Sequence, residues 1–588
     1  MNRQSVFLAF AVSAIVPIAF ACSSSSGGAA PGGSDASTDA TNADVAPGDS
    51  GRDSVSSAQD SGQTADGGDA GTVAPWLTTL SITSSADGSA GSMLVPPFSS
   101  SVFDYYVRCT AGTNELAVTM SASAGAETSL TRPTPSAPSP SQTLQVSVTE
   151  NEAIVAVATQ GTATTEYWVR CLPADFPKLQ MSIHEDAGAA PAGYYLVGNL
   201  MATASAGYAM VLDGNGVPVW YDPLPTGLGV VDVDDVVSGS ISFVPYSATL
   251  VENFEVVPPD GGSVTTIVPV GYNTDSHELR VLPNGDYLIL SYPLTPGFDL
   301  TGLSIASTVD GGAPDLLGPN STIQDCAVLE VQPSGTVVST WLASDHFDPA
   351  QDSTLPLTGF GAGATLPDGG AVYDVFHCNS IDVDPANGNL LVSAREMDSI
   401  FYIERSSGKV LWKMGGATAS KDGATYVSVA DPFFRQHDAR LQPGWSSGCN
   451  GGTGQISLFD DESSKPGPAR GVVYDVVVGG ADGGETGCEG GAGAGAGDAG
   501  AGQATVAWQY KGLVSSSATG SFRISADGSR VIDWGLGGAP DRTFTEVDVN
   551  GNDLLDFAFT DGNVSYRTIK VPLTTFDLGT LRTAVGAP

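Results

Sequence analysis

At 588 residues the chain exceeds one ordinary domain, so two or three folded units plus linkers are expected. Its 23 Lys+Arg against 64 Asp+Glu give a formal charge of −41. That balance excludes nucleic-acid binding, which needs a basic face to displace counterions, and docking on an anionic lipid surface. Glycine (73 residues) and proline (37) are plentiful, and long amphipathic helical periods are absent. Short runs of alternating apolar and polar residues, punctuated by Gly, Asp, Asn and Pro, predict an all-β chain.

The N-terminus reads as an export signal. Arg3 supplies positive charge, and "SVFLAFAVSAIVPIAFA" is an apolar stretch too short to span a bilayer comfortably. It ends in "AFAC", followed by a polar, flexible tract. A small residue before a cysteine in this setting resembles the lipobox of bacterial lipoproteins, which implies a lipid on Cys22. Ala19 stands where leucine is usual, and a plain secretory signal with a leftover cysteine is the competing reading. Residues 1–22 are thus expected to be a lipoprotein signal, making the N-terminal lipid anchor the one link to a membrane. Residues 23–75 hold almost no large apolar side chains and predict a disordered tether.

Setting Cys22 aside leaves Cys109, Cys171, Cys326, Cys378, Cys449 and Cys488. An even remainder in an exported protein points to disulfides, although six cysteines allow 15 connectivities. "DYYVRC" (104–109) and "EYWVRC" (166–171) read as matching strand ends, which pairs Cys109 with Cys171. Cys449 and Cys488 bracket one hairpin-like segment, leaving Cys326 for Cys378. A catalytic thiol at Cys378, beside His377, is the competing reading, and an oxidising compartment disfavours it.

Residues 76–174 carry short alternating segments, among them "LTTLSI", "ELAVTMSAS", "TLQVSVTE" and "AIVAVATQ". Six or seven strands in about 100 residues predict a small β-sandwich. The pattern resembles the cadherin-like β-sandwich domains appended to bacterial surface proteins, and it brings no active site and no calcium-ligand cluster.

Residues 178–588 repeat. One phrase recurs as "HELRVLPNGDYLIL", "NSIDVDPANGNLLVSA" and "GSFRISADGSRVIDWG"; a second follows as "YAMVLDGNGVPVWY", "AVLEVQPSGTVVSTW", "FYIERSSGKVLWKM" and "TFTEVDVNGNDLLDF". Each turn holds a glycine where a positive φ is required. Together the two phrases make four strands, one blade of a β-propeller. Six blades are expected, at about 190–222, 230–270, 277–345, 377–415, 437–511 and 520–560, the second the least regular. Asp-Asn-Gly clusters such as "DVNGNDLLD" (548–556) match turn chemistry, since no acidic residue continues the spacing of a calcium loop. The "GCEGGAGAGAGDAGAG" run (487–502) reads as a surface excursion of a hairpin.

In a propeller the first strand of each blade lines the central channel, and its first residue stands at one rim. His277 opens blade three, His377 opens blade four and His437 opens blade five. Three of the five histidines therefore share one structural phase. Isolated histidines usually satisfy a nearby carbonyl, but three in register predict one shared site. Such a set can also bind zinc; an arginine close by counts against a cation. The hairpin after His377 folds back at Asn387-Gly388 and returns Arg395 to the same rim. A guanidinium among neutral imidazoles suits an anion with several equivalent oxygens, such as a sulfuryl or phosphoryl group. His184 and His346 fall outside this phase and read as structural.

The series "DSHELRVLPNGDYLI", "FHCNSIDVD…NLLVSARE", "VLWKMGG" and "FRQHDARL…ISLFDDE" resembles the arylsulfotransferases of the PAPS-independent, six-bladed propeller family, over about 190–570. The resemblance implies transfer of a sulfuryl group from a phenolic sulfate to a phenolic acceptor through a transient sulfohistidine. On matching positions it makes His437 the nucleophile, with His277, His377, Asn379 and Arg395 binding the sulfuryl oxygens. It implies no cofactor and no metal, and no phosphate-cradling P-loop motif is present. Cys378 inside the His-x-Asn motif, the eroded second blade and the long Gly-Ala insertion depart from the family pattern. The alternative of a different class is a non-catalytic surface propeller that binds glycans or proteins. It expects the three histidine rings to point away from one another.

Overall fold

The computed structural model describes residues 74–84, 91–200, 206–236, 239–247, 250–251, 253–305, 315–354, 372–448, 452–463, 465–479, 502–537 and 542–585. The expected signal and tether, with Cys22, lie outside these residues, as do Cys449, Cys488 and the Gly-Ala run up to residue 501.

From Leu77 to Leu172 two sheets face each other. One has three antiparallel strands (Leu77–Ser84, Asn114–Ala122 and Ser141–Val148). The other orders Asp104–Arg108, Ala163–Leu172, Ala153–Gln160 and Glu127–Arg132, its first pair parallel. Leu80, Ile82, Val118 and Met120 from one sheet and Val107, Ile154 and Val169 from the other fill a single core. Period-2 alternation is cleanest in Ser141–Val148, whose outer face meets solvent. Cys109 and Cys171 form a disulfide inside this core, with Cα atoms 5.5 Å apart.

From residue 179 onward most strands gather into six blades of four strands each, blades four and five joined in one nine-stranded sheet, with two smaller sheets (Leu294–Phe298, Ser321–Gln324 and Val372–Asp374; Ser304–Ile305 and Asp315–Leu316) lying outside them. Blade two runs Gly229–Asp235, Ile241–Ser247, Phe254–Val257, Thr265–Ile267; blade three runs Leu279–Val281, Tyr287–Ser291, Ala327–Val331, Val337–Leu342. Blade four is Cys378–Val383, Leu390–Ala394, Ser399–Ile403, Val410–Met414. Blade five is His437–Leu441, Thr453–Asp460, Arg470–Val477, Gly502–Lys511. A strand at Thr425–Val429 bridges the outer edges of blades four and five, running parallel to both. Blade six is Ser521–Ile524, Arg530–Asp533, Phe544–Val547, Asp553–Phe559, with Leu179–Ile183 added as a fifth strand. The second blade, least regular in sequence, has all four strands.

Blade one corrects the simple repeat. Its inner strand is not the first of the 190–222 segment but Thr568–Val571, from the far end of the chain, paired antiparallel with Tyr194–Gly198. Tyr208–Leu212 and Pro218–Pro223 complete it. Joining one C-terminal strand to three strands from residues 194–223 closes the ring and removes the sheet edge a linear array would leave open. Central strands such as Tyr208–Leu212 and Ser399–Ile403 are buried on both faces and read as continuous apolar runs.

The sandwich is packed on blade one. Phe176 lies 4.4 Å from Tyr208 and 5.0 Å from Tyr221, centroid to centroid, and Tyr106 and Leu172 join the same core. The C-terminal helix Leu578–Ala584 ties to the sandwich where Arg582 Nη2 meets Asp104 at 2.6 Å and Arg170 donates to the Val585 carbonyl at 3.2 Å. Among the described residues no helix is long and apolar enough to cross a membrane.

Candidate active site

Three inner strands deliver the histidines to one place. His437 is the first residue of its strand, His377 directly precedes Cys378–Val383, and His277 stands two residues before Leu279–Val281. Their rings converge: the His277 centroid lies 5.0 Å from that of His377 and 6.4 Å from that of His437. Tyr292 and Tyr566 close the cluster at 6.0 and 5.6 Å from His277. Tyr292 donates its hydroxyl to the Cys378 carbonyl, and Tyr566 donates to the His277 carbonyl at 3.3 Å. Burial first, with nearby carboxylates adding, pushes both phenols well above their ordinary pKa, so both remain protonated donors.

Each histidine has a carboxylate on Nδ1. Asp275 meets His277 at 2.6 Å, Asp374 pairs with His377, and Asp461 meets His437 at 3.1 Å. A carboxylate on Nδ1 holds the ring proton there and leaves Nε2 as the reactive nitrogen. The charge states then separate. Burial, followed by the Arg395 guanidinium and the other two histidines, drives His437 well below the usual imidazole range, so it stays neutral. Burial also opposes charge on His377, but the Asp374 carboxylate overrides it and raises that pKa. Neighbouring charge thus drives the two imidazoles in opposite directions.

Arg395 begins the short turn Arg395–Met397 after the second strand of blade four and is buried. It donates one Nη to Glu396 and the other to the Ser517 carbonyl at 2.8 Å. Glu396 also pairs with Arg435, two residues before His437, so one carboxylate ties the guanidinium to the segment leading into His437. Asn379 donates its amide to the Gln436 carbonyl at 2.7 Å, and Gln436 Nε2 donates to the Ser399 carbonyl at 2.8 Å. Asn379 therefore sits where it sets the backbone just ahead of His437. His377, Asp398, Arg435, Asp438, Glu462 and Thr519 all take positive φ, a conformation that side-chain-bearing residues adopt at a cost and that gathers at functional sites.

A disulfide joins Cys326 to Cys378, linking blade three to the strand that begins beside His377. It removes the thiol reading of Cys378. His346 pairs with Asp422 and stacks on Trp341, while His184 pairs with Asp556 at the edge of blade six. Neither has a ring contact with the three-histidine cluster among the described residues. Asp548, in the Asp-Asn-Gly turn, accepts from the Asn550 and Asn552 backbone amides, which is turn bonding.

Tyr292, Tyr566, Asp275, Asp374 and Asp461 were not reached from sequence. One rule reaches three of the site residues at once. The residue that ends the first hairpin of a blade returns to the rim, giving Tyr292 in blade three, Arg395 in blade four and Asp461 in blade five.

Residues 270–478 match the family model described as Arylsulfotransferase (ASST). Among solved structures, a protein of unknown function from Bacteroides caccae is 12% identical, with a TM-score of 0.34, over 65% of this chain and 99% of that one. An auxiliary nutrient binding protein from Bacteroides thetaiotaomicron is 9% identical, with a TM-score of 0.27, over 77% of this chain and 96% of that one. No curated protein matches the chain.

Proposed function

We propose that this chain, whose residues 270–478 match the arylsulfotransferase (ASST) family model, is an exported enzyme moving sulfuryl groups between phenols by way of a sulfohistidine. The observation that carries this reading is the convergence of His277, His377 and His437 on one rim with unequal charge states. It also speaks against the alternative of a non-catalytic binding propeller, which expects diverging rings.

In this reading the sulfuryl group of a phenolic sulfate sits between the three rings, its oxygens facing Arg395 and His277. The neutral His437 attacks sulfur through Nε2, the sulfur–oxygen bond breaks, and His377 gives its proton to the departing phenolate. A phenolic acceptor then hands its proton to His377, attacks sulfur and restores His437. Charge that spreads over the sulfuryl oxygens in each transition state is met by donors already in place. The buried Arg395 also supplies the positive spot an anionic ester needs in a chain of formal charge −41. Export is supported by two disulfides, which persist in oxidising compartments, and by the N-terminal signal pattern, with Cys22 as the candidate lipid site.

The test uses 4-nitrophenyl sulfate with and without phenol. Wild type should release nitrophenol faster with acceptor present, and rapid-quench mass spectrometry should find the added sulfuryl group on the peptide "FRQHDAR". His437→Ala should lose both turnover and label. Arg395→Lys keeps the charge but loses the fork, and its rate should fall about 10²–10³. No nitrophenol release with any acceptor would falsify the transferase reading, release indifferent to acceptor would make the protein a hydrolase, and a label on His377 instead would reassign the nucleophile.

A further inference from the structure

The three Asp–His pairs are not built alike. Asp275 and Asp374 precede their histidines by two and three residues, and the His277 and His377 side chains keep 14% and 15% exposure. The third pair spans two strands of blade five. Asp461 stands one residue past Thr453–Asp460, whose Phe459 pairs with His437, and His437 and Asp461 are 2% and 0% exposed. Both Asp461 oxygens lie 3.1 Å from His437 Nδ1. With both side chains buried, the Asp461 carboxylate is the group placed to take a proton leaving Nδ1.

Attack through Nε2 needs that nitrogen's lone pair, which places the single ring proton on Nδ1, donated to the Asp461 carboxylate. Bond formation at Nε2 makes the ring cationic. That charge would be buried near Arg395 and two other histidines, surroundings that already hold His437 away from its protonated form. We propose that Asp461 takes the Nδ1 proton when the sulfuryl group arrives at Nε2 and returns it when the group leaves, so that the covalent intermediate waits as a poorly departing N-sulfo-imidazole. The proposal rests on the sulfohistidine reading above.

The balance closes in both halves. In the first, a nitrogen–sulfur bond forms, the sulfur–oxygen bond breaks with its electron pair going to the phenolate, His377 supplies that phenolate's proton, and Nδ1 passes its proton to Asp461. In the second, the acceptor oxygen bonds sulfur, its proton goes to His377, the electron pair returns to Nε2 and Asp461 gives the proton back. Protonating the ring first makes it the better leaving group, so the stored proton sets when the intermediate can be discharged. The surroundings of Asp461 suit that role: burial raises its proton affinity, Asp460 and Asp398 add to the rise, and Arg395 and Arg435 oppose without cancelling it.

The experiment measures how long the sulfo-enzyme survives without acceptor. Asp461→Asn keeps the size and can accept from Nδ1 but cannot take the proton. It should still release nitrophenol in a burst, while its sulfo-enzyme decays to water about tenfold faster or more, with the hydrolysis-to-transfer ratio rising by the same factor. Asp461→Glu should recover the wild-type lifetime. In the wild type, infrared difference spectra on adding donor should show a protonated carboxyl band that Asp461→Asn lacks. A labelled wild type with neither the band nor a changed lifetime in Asp461→Asn overturns the Asp461 assignment and leaves the functional reading standing. A wild type with no sulfuryl group on His437 overturns both.

Discussion

His377 and His437 face the same space, yet their surroundings drive them in opposite directions. Asp374 gives His377 a charged partner that outweighs burial, whereas His437 has burial, Arg395 and two other imidazoles against its charge. The pH dependence of the donor-cleavage burst follows. His437 is neutral on both sides of pH ~6.5, so no acid limb is expected there. In the proposed mechanism His377 gives its proton to the leaving phenolate, and its folded pKa lies above the ordinary value. The burst should therefore hold at low pH and fall as pH rises through the His377 pKa. Asp374→Asn removes the charge that raises it, so the alkaline limb should move down by about 1–3 pH units. Phenyl sulfate, with its poorer leaving group, should show the effect more strongly than 4-nitrophenyl sulfate. A burst profile identical in wild type and Asp374→Asn would remove His377 from the acid role.

At the scale of elements, the rim is shaped by turns that only small residues can flank. The "MGG" after the outer strand of blade four presses on the turn that carries Arg395. A Cβ at Gly416, at φ +58°, would fall on the Met397 carbonyl and the Ser399 hydroxyl, and one at Gly415 would lie 2.7 Å from the Asp398 carbonyl. Gly416→Ala should cost about 2 kcal/mol in denaturant unfolding and lower turnover, because Met397 and Arg395 share one turn. An unchanged midpoint would mean that the contact is not a constraint. Much at this scale was legible. The glycine turns and period-2 runs marked strands of blades three, four and six, the second blade staying irregular in sequence, and the turn at Asn387-Gly388 returned Arg395 to the rim. The same hairpin logic reaches Tyr292 and Asp461, but neither carries the obvious chemistry that drew attention to an arginine.

For the whole molecule, a buried ionic axis lies beneath the histidines. Arg567 has no exposure and meets Asp232 at 2.6 Å, Glu278 at 3.3 Å and Asp438 at 3.4 Å. Arg440 bonds Glu278 and Asp438, and Arg523 meets Asp438 at 2.7 Å. Three carboxylates and three guanidiniums thus join the inner strands of blades two, three, five and six to the segment leading into blade one. Glu278 and Asp438 directly follow His277 and His437 in the chain, so the network also fixes the histidine backbones. Burial raises the Asp438 pKa on its own, yet the three arginines hold it far below the usual carboxylate range. Arg567→Met leaves Asp232 and Glu278 short of a partner and should cost about 3–5 kcal/mol, read as a lower denaturation midpoint. A loss within experimental scatter would mean that the axis contributes register and not stability.

Sequence alone determined the features that depend on local periodicity. Alternation and glycine turns are written within 10–15 residues, so the all-β class, the blade phase and the shared position of His277, His377 and His437 could be read directly. The matching strand ends likewise pointed to Cys109–Cys171, whereas Cys326–Cys378, left by elimination in the sequence, is fixed by the structure. Tertiary structure decided what depends on pairing across hundreds of residues. Thr568–Val571 closes blade one because its hydrogen bonds go to Tyr194–Gly198, hundreds of residues earlier in the chain. Tyr566 enters the site for the same reason. Asn379 spends its amide on Gln436, and Arg395 shares Glu396 with Arg435. Backbone propensity sets where a strand begins and which face a side chain takes. Which groups it then meets, and how burial and neighbouring charge push two chemically identical imidazoles in opposite directions, follows only from closing the ring.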